Sequence, residues 1–170
     1  ESDAMVKPPA IPTFSELYQR ALDDRPWLGA FLSGHLAVEF MLRKLIGQYD
    51  AKLTTFSDEL HHKQLIDLNG QIGTISPAQK GVLNAINAMR NKLAHQISFN
   101  PSIGEMIMLW GQAAAAFTDL TDGISQGLEA MVREDSFDSV DAWVVSELFV
   151  QICYDLHAEY IDRGGDEEAF

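Results

Sequence analysis

Residues 76–95 read SPAQKGVLNAINAMRNKLAH, and this stretch decides the fold class that the sequence predicts. It opens with Ser76, Pro77 and, three positions after the serine, Gln79. A serine that caps a helix, a proline at the first helical position and a glutamine that completes a capping box together signal the start of an α-helix. The apolar spacing that follows predicts that this helix continues to about His95.

The predicted helix has two distinct faces. On a helical wheel of about 100° per residue, its apolar side chains fall within an arc of roughly 120°. We expect this arc to face the core; it consists of Val82, Leu83, Ile86, Met89, Leu93 and Ile97. A second arc carries Asn84, Asn87, Asn91 and His95, and Arg90 lies at the border of the core arc. Because asparagine is a poor residue for an exposed helix interior, we expect the second arc to meet a partner helix, a second subunit or a ligand.

Outside this segment, helical patterns joined by short loops extend over most of the chain, and no segment shows the alternation of a strand. We predict an all-α antiparallel bundle of about six to seven helices. Residues 13–163 form its single domain, after an extended lead-in over residues 1–12 and before an acidic tail over residues 164–170. The predicted helices span about 13–24, 27–49, 58–69, 76–95, a segment from 102 through 116, a weak segment to 133, and 139–160.

Local signals place the starts and ends of these helices. Thr13 with Glu16, and Ser102 with Glu105, match the capping box. Further starts are predicted at Pro26, Ser57 and Ser139, and a loop at Gly70 to Gly73.

Composition and charge exclude several classes of function. The chain of 170 residues has a formal net charge of −13, which disfavours strong non-specific binding to DNA or to anionic membranes. Its most apolar window, Ile103 to Phe117, is too short to span a bilayer, and its start lacks the pattern of a secretion signal. Cys153 is the one cysteine, so neither an intramolecular disulfide nor a cysteine zinc site can form. These features predict a cytoplasmic protein that is not bound to a membrane.

A polar stripe on the long second helix is another candidate feature. His35, Glu39 and Arg43 lie four residues apart on a helix that is otherwise mostly apolar. Because a buried charge needs a partner, we expect an internal Glu39–Arg43 or His35–Glu39 pair. Alternatively, Glu39 lies near Arg90 and His95 and supports a site there.

The sequence carries no signal of a metal or cofactor site. His61 and His62 are adjacent, so their side chains point about 100° apart on a helix and do not form a metal-binding face. No phosphate-binding loop, nucleophile elbow or dinucleotide fingerprint is present. We therefore predict no metal and no cofactor.

The segment Arg90-Asn91-Lys92-Leu93-Ala94-His95 resembles the motif of the HEPN superfamily, in which an arginine, a polar residue and a spacer precede a histidine. Many members have asparagine after the arginine, and the motif lies late in a helix, as here. The resemblance implies a helical bundle that acts as a homodimer with the motif helices facing each other. It further implies metal-independent cleavage of RNA in a toxin, defence or stress context, with a protein partner such as an antitoxin or a regulator.

The same resemblance assigns roles to the motif residues. His95 would act as general acid or base on the ribose 2′-hydroxyl or the leaving oxygen, and Arg90 would neutralise charge on the scissile phosphate. Asn91 lies one helical turn before His95 and could orient its imidazole. Arg90 and His95 are about 140° apart on the helix, so two copies facing across a twofold axis would bring them together more easily than one. The supporting residues are Glu39, His35 and Asn87.

Other functions remain open. Residues 56–58, the Gly70 to Gly73 loop and the motif helix are also similar, over about residues 25–120, to regulators of the mannitol-repressor type. That similarity implies a transcriptional regulator or interaction module without its own DNA-binding motif. The polar face could instead bind a nucleotide or another small ligand. Without catalysis, Arg90 could cap a neighbouring helix and His95 could make a hydrogen bond at a subunit interface.

Overall fold

The computed structural model describes residues 11–22, 25–96 and 99–166. Within these ranges the chain is all-α, with eight α-helices, two short 3₁₀ helices at Ala51–Leu53 and Phe137–Ser139, and no strand. The prediction of an all-α bundle is therefore confirmed. The α-helices are α1 Phe14–Ala21, α2 Pro26–Tyr49, α3 Thr54–Asp58, α4 His62–Ile72, α5 Pro77–His95, α6 Ile103–Ala116, α7 Gly123–Met131 and α8 Ala142–Asp162.

The capping signals set the start of three helices as predicted. At α5 the Gln79 amide donates to Ser76 Oγ at 3.1 Å, and the Ser76 amide donates to Gln79 Oε1 at 2.9 Å. The same reciprocal pair forms at the starts of α1 and α6, between Thr13 and Glu16 and between Ser102 and Glu105. Each pair satisfies two of the backbone N–H groups that a helix start leaves without partners.

The prediction that Ser57 caps the helix after it is wrong. Ser57 lies inside the short helix α3, so it does not precede a helix as a cap must, and its buried hydroxyl donates to the Thr54 carbonyl at 2.8 Å. The next helix, α4, starts later, at a capping box formed by His61 and Gln64. It also continues through Gly70, and only Gly73, with a φ of 78°, ends it.

The last helix also starts later than predicted. Residues Phe137–Ser139 form a 3₁₀ helix, and α8 begins at Ala142 rather than at Ser139. Packing accounts for the difference, because the buried ring of Phe137 lies against Trp27 with 4.8 Å between ring centroids. The predicted lead-in falls mostly on residues 1–10 and the acidic tail partly on residues 167–170, and both stretches lie outside the described residues.

Helix α2 occupies the centre of the bundle. It packs along α8 on one side and against α4 and α5 on the other. Gly34 is required on the α8 side, because a Cβ at this position would overlap the Phe149 ring. Asn69 holds α4 to α2, since its buried Nδ2 donates to the Leu42 carbonyl at 3.1 Å.

The core face predicted for α5 is largely confirmed. Val82, Leu83, Ile86 and Leu93 are buried, and Met89 is partly buried against the same core. Ile97 lies outside the described residues. No described helix has both the length and the apolar character needed to cross a membrane.

Candidate functional site

A cavity of about 760 Å³ opens where α2 meets the start of α4 and the second half of α5. Its wall combines an apolar edge, from Leu32 and Leu36, with a polar interior. Three different helices contribute polar side chains to this wall, among them His35, Glu39, Arg43, His62, Asn87, Arg90 and Asn91. Part of the amide-rich face of α5, Asn87 and Asn91, therefore lines the same space as the polar stripe of α2.

The carboxylate of Glu39 lies at the centre of the polar interior. Its Oε1 pairs with Arg43 Nη1 at 2.7 Å, and its Oε2 lies 3.1 Å from His62 Nδ1. Burial raises the pKa of Glu39, but the hydrogen bonds from His62 and Arg43 together outweigh burial, so the pKa lies below its usual value. Glu39 is therefore ionised at neutral pH, and of the two predicted pairs the Glu39–Arg43 pair is present.

Arg43 fixes this arrangement to the backbone. Its Nε donates to the Ser57 carbonyl at 3.3 Å, and its Nη2 donates to the Leu60 carbonyl at 3.1 Å. The guanidinium thus binds the end of α3 and the turn before α4 while its third contact holds Glu39. These bonds place the start of α4, and with it His62, next to α2.

Two imidazoles are stacked in the cavity. The rings of His35 and His62 have centroids 3.7 Å apart and an interplanar angle of 20°. His35 Nε2 also lies 3.1 Å from Asn87 Oδ1, and because that oxygen can only accept, the proton is on Nε2. Burial and then the neighbouring His62 lower the pKa of His35 to about 4. Burial also lowers the pKa of His62, despite the hydrogen bond to Glu39, so both rings are neutral at neutral pH.

Arg90 is one of the charged groups on the cavity wall that make no ion pair within the described residues; the carboxylates of Asp58 and Glu59 are the others. Its side chain is half-buried and lines the cavity, and its charge helps to lower the pKa values of His35 and His62. Within the described part of the chain, no hydrogen bond or ion pair involves this guanidinium. A half-buried cation beside two neutral imidazoles offers a local binding position for an anion, although the formal charges of the whole lining balance.

The predicted site residues divide into two groups. Arg90, Asn91 and Asn87 line the cavity together with Glu39 and His35. His95, the last residue of α5, is exposed and is not part of the cavity wall. Asn91 is exposed as well, and no hydrogen bond joins it to His95 in the described ranges, so a single chain does not bring the whole motif into one site.

His62 was not among the predicted site residues. Because His61 and His62 are adjacent, they were expected to point in different directions, and they do: His61 caps α4, whereas His62 is buried. A signal was present in the sequence. His62 precedes Leu65, Ile66 and Asn69 at spacings of three, four and seven residues, and all four side chains form the buried face of α4. That periodicity marks His62 as an inward-facing residue.

Comparisons of the chain with models of known protein families, with curated proteins and with solved structures gave no match. The chemistry of the cavity is therefore the basis on which a function can be inferred.

Proposed function

We propose that this chain is a HEPN-like, homodimeric endoribonuclease that cleaves RNA without a metal, at the cavity around Arg90. The observation that carries the proposal is the half-buried Arg90 guanidinium, which makes no ion pair within the described residues and lies beside neutral imidazoles. A phosphodiester supplies the missing negative charge. The motif resemblance at Arg90, Asn91 and His95 indicates the same chemistry.

The chemistry follows from the groups present. Arg90 binds the scissile phosphate and stabilises the charge that builds up on its oxygens. A neutral imidazole removes the proton of the ribose 2′-hydroxyl, whose oxygen attacks phosphorus, and an acid protonates the departing 5′-oxygen. We assign His95 to one of these proton transfers, as the motif implies. Asn91, on the cavity wall one turn earlier, is placed to hydrogen-bond the phosphate or the base.

A second copy of the chain would complete the site. His95 lies outside the cavity of its own chain, so it has to reach a cavity from a neighbouring subunit. An apolar stripe supports such an interface: Leu32, Leu36 and Phe40 follow one another at four-residue spacing along α2, each at least 40% exposed. Leu32 and Leu36 form the edge of the cavity, so a subunit that covered the stripe would lie over the opening.

The test is cleavage of RNA in the presence of a chelator. We expect His95→Ala to lower the cleavage rate by a factor on the order of 10²–10⁴, the usual contribution of a general acid or base. Arg90→Gln should lower the rate by a factor of about 10² or more. The control is His157→Gln, which alters a histidine of α8 that is not on the cavity wall. Equal cleavage by all four proteins, or no cleavage by the wild type, rejects the ribonuclease.

One observation favours a second candidate, an interaction module similar to the mannitol-repressor group. The motif histidine is exposed and apart from the cavity, which suits a contact with a partner protein as well as catalysis. This candidate predicts a folded dimer that cleaves no RNA and that, with a net charge of −13, does not bind DNA by itself. Specific DNA binding by the isolated chain would contradict it.

A further inference from the structure

We propose that His35, Glu39 and His62 form a binding site for one divalent first-row transition-metal ion, with Zn²⁺ as the probe of choice. The site goes beyond the proposed ribonuclease and does not depend on it, because it needs neither RNA nor a second subunit. It also revises the expectation of no metal site, which considered His62 only together with His61. The relevant partners of His62 come from α2 instead.

The three side chains offer their donor atoms in a small volume. One ligand atom from each lies within 4.8 Å of the other two. His62 Nδ1 and Glu39 Oε2 are already 3.1 Å apart. Two ligands that bind a zinc ion at about 2.1 Å in tetrahedral geometry are separated by about 3.4 Å, so only a small adjustment is needed. The ion can therefore take the place of the proton between these two atoms, and that proton moves to Nε2 of His62.

His35 supplies the third donor. Its hydrogen bond to Asn87 holds the proton on Nε2 and leaves the electron pair of Nδ1 for an ion. The two rings are nearly parallel, so their electron pairs do not yet converge. Rotation of the His62 imidazole about its Cβ–Cγ bond, a soft torsion, lets the donors converge on the ion, while the hydrogen bond to Asn87 keeps the ring of His35 in place.

Neighbouring groups hold the ligands in the way that metal sites require. Arg43 binds Oε1 of Glu39 and leaves Oε2 for the ion, while Asn87 fixes the ring of His35. Such supporting hydrogen bonds orient ligands and set the affinity of a site. Burial also restricts the motion of the two rings, since His35 and His62 are only 6% and 8% exposed.

The chemistry of the ligands selects the class of ion. Two imidazoles and one carboxylate suit zinc, cobalt or nickel, whereas magnesium and calcium prefer oxygen ligands alone. Arg43 and Arg90 place positive charge near the ion and weaken its binding. Arg90 at the same time favours an anion in the remaining coordination positions, so inorganic phosphate should tighten binding of the metal.

The first experiment titrates the chelator-treated full chain with Co²⁺, followed by visible absorption, and with Zn²⁺, followed by calorimetry. We expect one ion per chain, and at least tenfold weaker binding by Glu39→Gln and His62→Gln. The matched control His157→Gln should bind like the wild type. No binding by the wild type overturns the proposal, as does equal binding by all variants, which would indicate surface sites.

A second measurement avoids variants that fold poorly. Nitrogen resonances of the five histidine rings of the wild-type chain are recorded before and after one equivalent of Zn²⁺. We expect the ring nitrogens of His35 and His62 to shift and those of His61, His95 and His157 to stay in place. Shifts confined to the latter three would overturn the proposed site.

These readouts separate the metal site from the ribonuclease. Metal binding without RNA cleavage in chelator refutes the nuclease alone, and cleavage without metal binding refutes the metal site alone. If both are correct, Zn²⁺ inhibits cleavage, because the ion occupies the imidazoles beside Arg90.

Discussion

The two sides of α2 differ in the kind of contact that they make with neighbouring helices. Towards α8 the contact is apolar and close: Phe31 meets the edge of Phe149 with 5.3 Å between ring centroids, and Gly34 leaves room for the same ring. Towards α4 and α5 the apolar core continues, but a polar cluster lies beside it, with His35 bound to Asn87 and Glu39 bound to His62. The candidate site thus lies on only one of the two sides of this helix.

This difference separates stability from function. Apolar packing gains free energy from burial and needs no particular partner beyond the right shape. A buried polar cluster loses solvation, which its hydrogen bonds only roughly repay, so it contributes little net stability. A polar cluster beside an open cavity instead supplies groups that can bind a ligand or react with it. The variants below test this division, from the largest expected effect to the smallest.

Phe31→Ala should give the largest effect. The side chain is fully buried between α2 and α8, so its removal leaves a cavity and should cost about 3–5 kcal/mol of the free energy of unfolding. The measurement is urea unfolding at pH 7.5. The control, Ser33→Ala, changes an exposed position of the same helix and should alter the free energy by less than about 0.5 kcal/mol. A small loss for Phe31→Ala would show that the α8 side does not dominate stability.

The polar side should make stability depend on pH. The pKa of His35 is lowered to about 4, so below pH 6.5 the unfolded chain binds a proton there that the folded chain does not. Stability should therefore fall as the pH decreases from 6.5 towards 4, by about 2 kcal/mol between pH 7.5 and pH 5.0 from this residue alone. His62, whose pKa is also lowered, adds to the loss.

Urea unfolding at the two pH values measures this effect. His35→Gln should reduce the difference between pH 7.5 and pH 5.0, whereas the exposed His95→Gln should leave it unchanged. An equal pH dependence in both variants would mean that His35 is protonated in the folded chain.

Gly34→Ala tests the close approach of α2 and α8. The added methyl group would overlap the Phe149 ring, and such overpacking should cost about 1–3 kcal/mol. Gly29→Ala is a matched control on the same helix, because no atom lies within 4 Å of the position that its Cβ would take. This control should stabilise the chain by up to about 1 kcal/mol, since alanine favours helix more than glycine. Similar effects of the two substitutions would contradict the close packing.

Two asparagines on the same face of α5 give the most discriminating pair, and one of them, Asn84, gives the smallest expected effect. Asn87→Ala leaves the buried Nε2–H of His35 without an acceptor and should cost about 1–3 kcal/mol. Asn84 has a buried Oδ1 that accepts no hydrogen bond within the described residues, so Asn84→Ala should be neutral or stabilise by about 0.5 kcal/mol. Thermal unfolding of the two variants side by side gives the sign of each change. A loss for Asn84→Ala would reveal a partner for its oxygen.

Sequence patterns predicted the parts of the fold that depend on neighbouring residues. The capping pairs at Thr13, Ser76 and Ser102 each join residues three positions apart, so their hydrogen bonds could be inferred directly. The start of α4 was missed because Ser57, a good cap in isolation, is itself part of the short helix α3. Such competition between two local structures depends on how the turn packs, which no short pattern contains.

The candidate site could be predicted only in part. The amide-rich face of α5 and the stripe at His35, Glu39 and Arg43 were each evident from the sequence. The sequence did not show that Asn87 and Asn91 of this face line one cavity with the stripe. His62 was missed, although its place in the buried period of α4 was a usable signal. The position of His95 outside the cavity was likewise not evident from the motif.

The chain by itself thus determined the helices and their buried faces, because caps and periodicity act over one or two turns. Only the tertiary structure decided which polar groups meet. His62 and Glu39 are 23 residues apart in the chain, and Asn87 and His35 are 52 apart. Contacts of this kind depend on the rotation and depth of each helix in the bundle, and these are set by the packing of the apolar core as a whole.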